Sequence, residues 1–463
     1  MLLGVKMRQI FETVEGRRRV TLLSATILLA AVAAVTNAQS LNQLAPPDAS
    51  TATQSIAISL QEAIKRAEAA EPTYATAMAD SKVAGLDRSI ARAGLLPSAV
   101  YHNQALYTQA NGQGQGIGAP FRFISNNSVH EYASQAVVNE ELGLSQLSAV
   151  RRADAAAALA SAELEIARRG LVSAVTGLYF GVAAADNKLA IAKVAHDEAM
   201  DFTKLTGQRE AVREAAHADS VKAQLQQQQR ERELADAKIA AEKARLELAV
   251  LLFPDPRTPY SVSATGDVTL ASRAEVDLAA SKNNAELKSA LAALGVSNAE
   301  VLSARGAYLP GLGLNFTYGI DAPQFAVNGP DGVHNLGYSA SVTLDIPVWD
   351  WLATEHKVKQ SEIRRDATKV ALTATQRRMI ARLDEAYAEA AGARDQLASL
   401  DASVATANES LRLTKLRYTG GEATVLEVVD AQAAYVTAQN AREDGRVRYR
   451  SALADLQTLT GTM

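Results

Sequence analysis

Glu427 and Asp430 lie three residues apart in a stretch patterned as helix, so their carboxylates fall on one helical face. Two acids near a helix start are stabilised by the helix dipole and need no further task. Tyr418 and the pair Gly420-Gly421 come just before them, and Asp219 stands in a similar place in the first half, in His217-Ala218-Asp219-Ser220. These groups can hydrogen-bond and carry charge, but no nucleophile–base pair accompanies them. No nucleophile elbow, phosphate loop or metalloprotease motif occurs. The six histidines are scattered, and none stands four residues from another as a helical metal pair would. With no cysteine, disulfides, thiol catalysis and Cys-ligated metals are excluded, as is an N-terminal thioether lipid anchor. The residues predict no catalytic site, no metal centre and no cofactor.

The elements that hold these residues are mostly long helices. Aromatics make up 5% of the 463 residues and alanine is abundant, which suits helices packed closely through small side chains. With 47 basic and 51 acidic residues there is no basic footprint for nucleic acid. Arg17, Arg18 and Arg19 precede an apolar run from Leu22 to Val35, and Thr36-Asn37-Ala38 resembles a cleavage site before Gln39. Residues 1–38 therefore read as a secretory signal peptide, with translation starting at Met1 or Met7, and the protein is expected to leave the cytoplasm.

Two segments reveal a tandem duplication. Arg92–Pro97 reads Arg-Ala-Gly-Leu-Leu-Pro and Arg305–Pro310 reads Arg-Gly-Ala-Tyr-Leu-Pro, the prolines 310 − 97 = 213 residues apart. Each follows a helical stretch and precedes a β-like stretch and then a very long helical one. The predicted order is a linker at 39–57, a first repeat at 58–253, a second linker at 254–273 and a second repeat at 274–463. Within the repeats the β-hairpins span 95–146 and 307–350, and the helical hairpins span 147–253 and 351–463. Leu312, Leu314, Phe316, Tyr318 and Ile320 alternate with small or polar residues, as do Tyr338, Ala340, Val342, Leu344 and Ile346. Runs of about ten residues suffice for a tilted strand to cross a bilayer. No proline occurs between Phe121 and Phe253 or after Pro347. A helix from Thr354 to Tyr418 would be about 100 Å long. Its apolar or small positions Leu397, Leu400, Val404, Ala407, Leu411, Thr414 and Tyr418 follow coiled-coil spacing. Breaks near 207–216 and at Gly420-Gly421 fold each long stretch into a hairpin, and Asp219 is placed over Asp430.

Strands with one apolar face cross lipid only in a closed barrel, because open edges would leave backbone groups unpaired. Four strands cannot close around a lumen, so several copies must contribute. The charged helices must project from the membrane, forming a tube coaxial with the barrel.

The sequence resembles the TolC-like outer-membrane factor family. The resemblance rests on the paired Ala-Arg-x-x-x-Leu-Pro segments, Ala91–Pro97 and Ala304–Pro310, and on Ile346-Pro347-Val348-Trp349-Asp350. It rests also on Arg417-Tyr418-Thr419-Gly420-Gly421-Glu422 with the following Val425–Gln432, and on the tail from Tyr449 to Gly461. It implies an α+β membrane protein: a transmembrane β-barrel with four strands per protomer, continued by a long α-helical coiled-coil barrel. It implies a homotrimer in the Gram-negative outer membrane, its helices in the periplasm, working with a periplasmic adaptor protein and an inner-membrane transporter. The function implied is a passive exit duct of a tripartite efflux pump or type I secretion system, not an enzyme. By the same resemblance Glu427 and Asp430 form an acidic ring at the periplasmic aperture, Tyr418 and Asp219 latch the tip, and Gly420 and Gly421 make the helix turn. Pro97, Pro310, Pro347 and Trp349 mark the barrel's entrance and exit. Two departures stand out: Ala423 occupies the place of an expected latch arginine, for which Arg209 or Arg213 could substitute, and Leu142–Leu147 lacks the Pro-aromatic-Asp exit. The alternative is a periplasmic adaptor with coiled-coil hairpins. The cargo, whether drug, metal ion or secreted protein, stays open.

Overall fold

The computed structural model describes residues 56–107, 130–263, 269–329, 332 and 334–462. The expected signal peptide and the loop at 111–118 lie outside these residues. The described chain is a repeat in element length as well as in sequence. The first copy runs β1 (Ile56–Ile58), α1 (Leu60–Ala70), α2 (Pro72–Ala93), β2 (Ser98–Tyr107), β3 (His130–Leu142), α3 (Leu144–Ala211) and α4 (His217–Leu252). The second runs β4 (Tyr260–Val262), α5 (Arg273–Asn283), α6 (Ala285–Gly306), β5 (Gly311–Ala322), β6 (Leu336–Asp345), α7 (Ala353–Thr419) and α8 (Val425–Thr460). Corresponding helices have 11 and 11, 22 and 22, 68 and 67, and 36 and 36 residues.

Helix ends follow local chemistry. Ser59 caps α1 by accepting from the Glu62 N–H, and Pro72 begins α2 where its missing N–H costs nothing. Ser272 and Glu275 form a reciprocal capping box on α5.

One expectation needs correction. The segments 39–57 and 254–273 are not wholly linkers, because β1 and β4 pair in parallel, Ile56 opposite Tyr260 and Ile58 opposite Val262. The Tyr179 side chain, 1% exposed, secures them. Its hydroxyl oxygen lies 2.9 Å from the carbonyl oxygens of both Ile58 and Ser263 and accepts from the Ser263 N–H at 3.0 Å. Three-residue strands carry too little pattern to be read from sequence; a distant buried tyrosine decides them. Around it Ile58, Leu171, Val175, Val182, Leu248 and Tyr260 form the largest apolar cluster. Burial pushes the Tyr260 phenol up to about 12.

The other four strands form one antiparallel sheet ordered β2-β3-β5-β6, so the hairpins of the two copies join through β3 and β5 and leave β2 and β6 as edges. Register sorts the faces. Leu312 opposes Leu344, Leu314 opposes Val342, Phe316 opposes Ala340 and Tyr318 opposes Tyr338, giving one apolar face. Asn315 opposes Ser341 and Thr317 opposes Ser339 on the other. On that polar face Asn315 donates to Asn139, and Gln135 to Asp321 at 3.1 Å. The first copy alternates less cleanly. Its register puts Asn103, Ser134 and Glu140 on the apolar side, where Tyr101, Ser134 and Asn103 hydrogen-bond one another at 2.7 and 2.8 Å. No helix among the described residues is long and apolar enough to cross a membrane.

In the long helices α3 packs on α4, α6 and α8, and α7 packs on α6 and α8. The expected coiled-coil seam holds. Leu397, Leu400, Val404, Ala407 and Thr414 are half-buried and Leu411 and Tyr418 buried, while most residues between them are exposed. Gly445 lets α8 approach α7 closely, since a Cβ there would meet Leu400 Cδ1 at 2.6 Å.

Candidate functional site

The turns Val212–Ala216 and Gly420–Thr424 each join two long helices, and they close alike. Glu214 N donates to Arg209 O at 2.8 Å, and Glu422 N to Arg417 O at 2.9 Å. Both put one residue in the left-handed region, Arg213 (φ 66°) and Gly421 (φ 80°). A glycine accepts that backbone freely, whereas an L-residue is destabilised by about 1–2 kcal/mol. Gly420, at φ −76°, is not needed for its backbone. The equivalence 421 − 213 = 208 matches the helix starts, 425 − 217 = 208, and corrects one pairing. Asp219 corresponds to Glu427, third residue of its helix, and not to Asp430.

Tyr418 is buried, 6% exposed, in a cluster with Phe202, Ala223, Val425, Val428 and Val429. Its ring lies 5.2 Å from that of Phe202, and the Arg209 guanidinium sits 4.9 Å above it. Arg209 also donates to Tyr418 O at 2.9 Å and Thr419 O at 3.0 Å, satisfying carbonyls at the end of α7. Lys415 pairs with Glu198 at 2.8 Å nearby. At the tip the two hairpins are thus fastened through an arginine, an aromatic pair and one ion pair, and farther along α3 Lys188 pairs with Asp444 of α8.

The expected Tyr418–Asp219 bond is not made among the described residues of the chain. Tyr418 turns inward under Arg209, where its hydroxyl comes within 3.5 Å of Thr206 Oγ1, while Asp219 sits half-buried in the first turn of α4. Arg209 does stand where the missing arginine was sought; Arg213 is taken up by the turn. Arg417 is the repeat counterpart of Arg209, yet it serves its own hairpin, donating to Glu422 O at 3.1 Å and pairing with Glu427 at 3.3 Å.

Glu427 and Asp430 are unequal. Glu427 closes a capping box with Thr424: its carboxylate accepts from the Thr424 N–H at 3.1 Å, and its own N–H donates to Thr424 Oγ1 at 3.3 Å. The Thr424 N–H and hydroxyl, with Arg417 beside them, hold the Glu427 carboxyl below its ordinary range. Asp430 is exposed.

Sequence reading missed Phe202 and Thr206. With Ala199 they are buried at three-four spacing, so the seam logic used for α7 would have found them on α3. At the other end of the helices, Pro97 and Pro310 precede β2 and β5, and Pro347 and Trp349 follow β6, Trp349 being 68% exposed.

Residues 279–462 match the outer membrane efflux protein family. Outer membrane protein OprJ of Pseudomonas aeruginosa is 27% identical over 159 residues, 34% of this chain and about a third (33%) of that relative's length. Among solved structures, the Campylobacter jejuni CmeC outer membrane channel superposes with a TM-score of 0.73 at 17% identity, covering 87% of this chain and 85% of that one. The Vibrio cholerae outer membrane protein VceC gives 0.71 at 18% identity over 87% and 96%. The open state of the Neisseria gonorrhoeae MtrE channel gives 0.69 at 20% identity over 87% and 88%. At these identities the likeness establishes the fold.

Proposed function

We propose that this chain, whose residues 279–462 match the outer membrane efflux protein family and whose fold is that of the outer membrane channels, is the exit duct of a tripartite efflux pump or type I secretion system. Three copies each give four strands to a closed barrel in the outer membrane, and their helices continue it as a tunnel in the periplasm. The observation that carries this reading is the four-stranded sheet whose β5–β6 half has one apolar and one polar face, and whose edges, β2 and β6, are open. Such a sheet satisfies its edges in lipid only by closing with further copies. The polar face would line a wet lumen. A periplasmic adaptor and an inner-membrane transporter supply the energy, and the duct does no chemistry.

The gate is the helical tip. In the closed state Arg209, stacked on Tyr418 and bonded to the last carbonyls of α7, holds the second hairpin to the first. Opening moves the second hairpin outward and breaks these contacts together with Lys415–Glu198. Asp430, repeated three times, forms the freer part of an acidic ring at the aperture, with Glu427 partly neutralised behind it. Rings of carboxylates favour cations in pores. Two helical hairpins and four strands, rather than one hairpin with flanking lipoyl-like segments, speak against the adaptor alternative.

Fractionation followed by bilayer recording tests the assignment. Recovery as a cross-linkable trimer from detergent-extracted outer membrane, with cation-preferring conductance, is expected. A periplasmic monomer without conductance would overturn it.

A further inference from the structure

The internal repeat predicts a contact that one chain cannot make by itself. Toward the tip the long helices stand in the order α4-α3-α8-α7, which leaves one flank of α4 and one of α7 without a neighbour in the chain. A sheet ordered β2-β3-β5-β6 closes by pairing β6 of one chain with β2 of the next, so α7 faces α4 of that next chain. Every joint around the tube then brings together a long helix, the short helix of the following hairpin and the end of that hairpin's long helix. Within a chain these are α3, α8 and the end of α7. Between chains they are α7, α4 and the end of α3. The repeat offset at the tip, 421 − 213 = 208 residues, carries the first joint onto the second.

This transfer sets Arg417 where Arg209 stands and Glu210 where Tyr418 stands. Arg209 donates to the carbonyls of Tyr418 and Thr419 and covers the Tyr418 ring. Arg417 therefore comes to the end of α3 in the next chain, where it meets a carboxylate in place of a ring. It has donors to spare. The residue is exposed, and of the five N–H groups of a guanidinium two are engaged, by Glu427 at 3.3 Å and by Glu422 O at 3.1 Å. Glu210 Oε1 lies 2.7 Å from His217 Nδ1 at the same turn.

The surroundings change character in step. Phe202, whose ring touches Tyr418, has Ser410 as its counterpart. Val425 and Val428, both buried in the Tyr418 cluster, have His217 and Ser220. Farther along, Ile191 and Ala195 of α3 line one cleft with Tyr435 and Val436 of α8; their counterparts are Ser399, Ser403, Gln227 and Gln228. Val221 and Leu413 stay apolar, but the joint between chains is otherwise polar on both sides. Apolar burial, which closes the joint within a chain, is not screened by salt, whereas a pair of exposed charges is.

We propose that in the trimer Arg417 of each chain pairs with Glu210 of the next, and that this polar joint is where ionic strength weakens the closed tip. The pairing rests on the trimeric duct reading and on closure at the helical tip.

Because the chain has no cysteine, Arg417→Cys with Glu210→Cys introduces the only thiols. Oxidation in isolated outer membranes should give covalent dimers and trimers on non-reducing gels; a product within single chains only would overturn the joint. In planar bilayers Arg417→Glu and Glu210→Arg should each raise the open probability severalfold, and the exchanged pair carrying both should restore it. An exchanged pair as open as its worse single substitution would sink the pairing, since contacts that Arg417 loses in its own turn cannot be repaired from residue 210. Raising salt should open the unmodified channel severalfold, and Glu210→Gln should be open already at low salt and respond little. An unmodified channel whose open probability ignores salt would refute closure by this pair. The same preparations separate the two readings: a conducting trimer that cross-links only within its chains defeats the joint alone, whereas a periplasmic monomer without conductance defeats the duct.

Discussion

Arg209 and Arg417 occupy the same place in the two copies and do different work. Arg417 stabilises its own turn; Arg209 reaches across to the neighbouring hairpin. Replacing Arg209 by Ala leaves two helix-end carbonyls without their charged donor and uncovers the Tyr418 ring, a loss of about 1–3 kcal/mol for the tip contact. Larger or more frequent single-channel openings in planar bilayers are expected, with Tyr418→Phe much milder because its hydroxyl contact is long. An R209A channel that conducts like the parent would rule out this latch. Glu427 gives a pH prediction. Its carboxyl is depressed below the reference value of 4.5, so its contribution to the start of α8 is fully present above that value and is lost as pH falls through the lower folded value. Amide exchange at 427–429, corrected for intrinsic rate, should therefore accelerate on acidification below about 4.5. Glu427→Gln should keep the cap and remove the pH dependence.

Turns and strands make their own demands on glycine. Gly421→Ala forces an alanine into the left-handed region and should destabilise the tip by about 1–2 kcal/mol, whereas Gly420→Ala, whose Cβ meets nothing closer than 3.5 Å, should be nearly neutral. Thermal unfolding of the purified protein distinguishes them, and equal shifts would contradict the turn geometry. In the sheet, a Cβ on Gly319 would lie 2.2 Å from the Ser134 carbonyl oxygen, a backbone atom that cannot step aside. Gly319→Ala is expected to prevent assembly of the trimer on denaturing gels. Gly337→Ala, opposite it on β6 with nothing within 4 Å, should assemble normally.

Across the whole molecule, the two hairpins touch through few polar contacts at the tip. Because the chain has no cysteine, paired cysteines at Glu198 and Lys415 can be bridged by a short bis-maleimide without background. The bridged channel should stay closed when adaptor and transporter are present, and transport should be unaffected by either single substitution. Transport that continues through a fully bridged channel would show that the hairpins need not separate.

The sequence alone determined the duplication, the alternating faces of β5 and β6 and the seam of α7, because period two and three-four spacing act over many residues and outvote local noise. It also pointed to the tip and to Arg209 as a candidate there. It could not determine β1 and β4, each three residues long, whose pairing depends on Tyr179 more than 80 residues from either partner. Nor could it pair Asp219 with Glu427 or turn Tyr418 inward. Those outcomes depend on which side chain wins a shared space, and only packing between the two hairpins settles that contest. The left-handed backbone at Trp351 and Leu352 is of the same kind: no residue there favours it, and the carboxylate and carbonyl of Asp350 impose it.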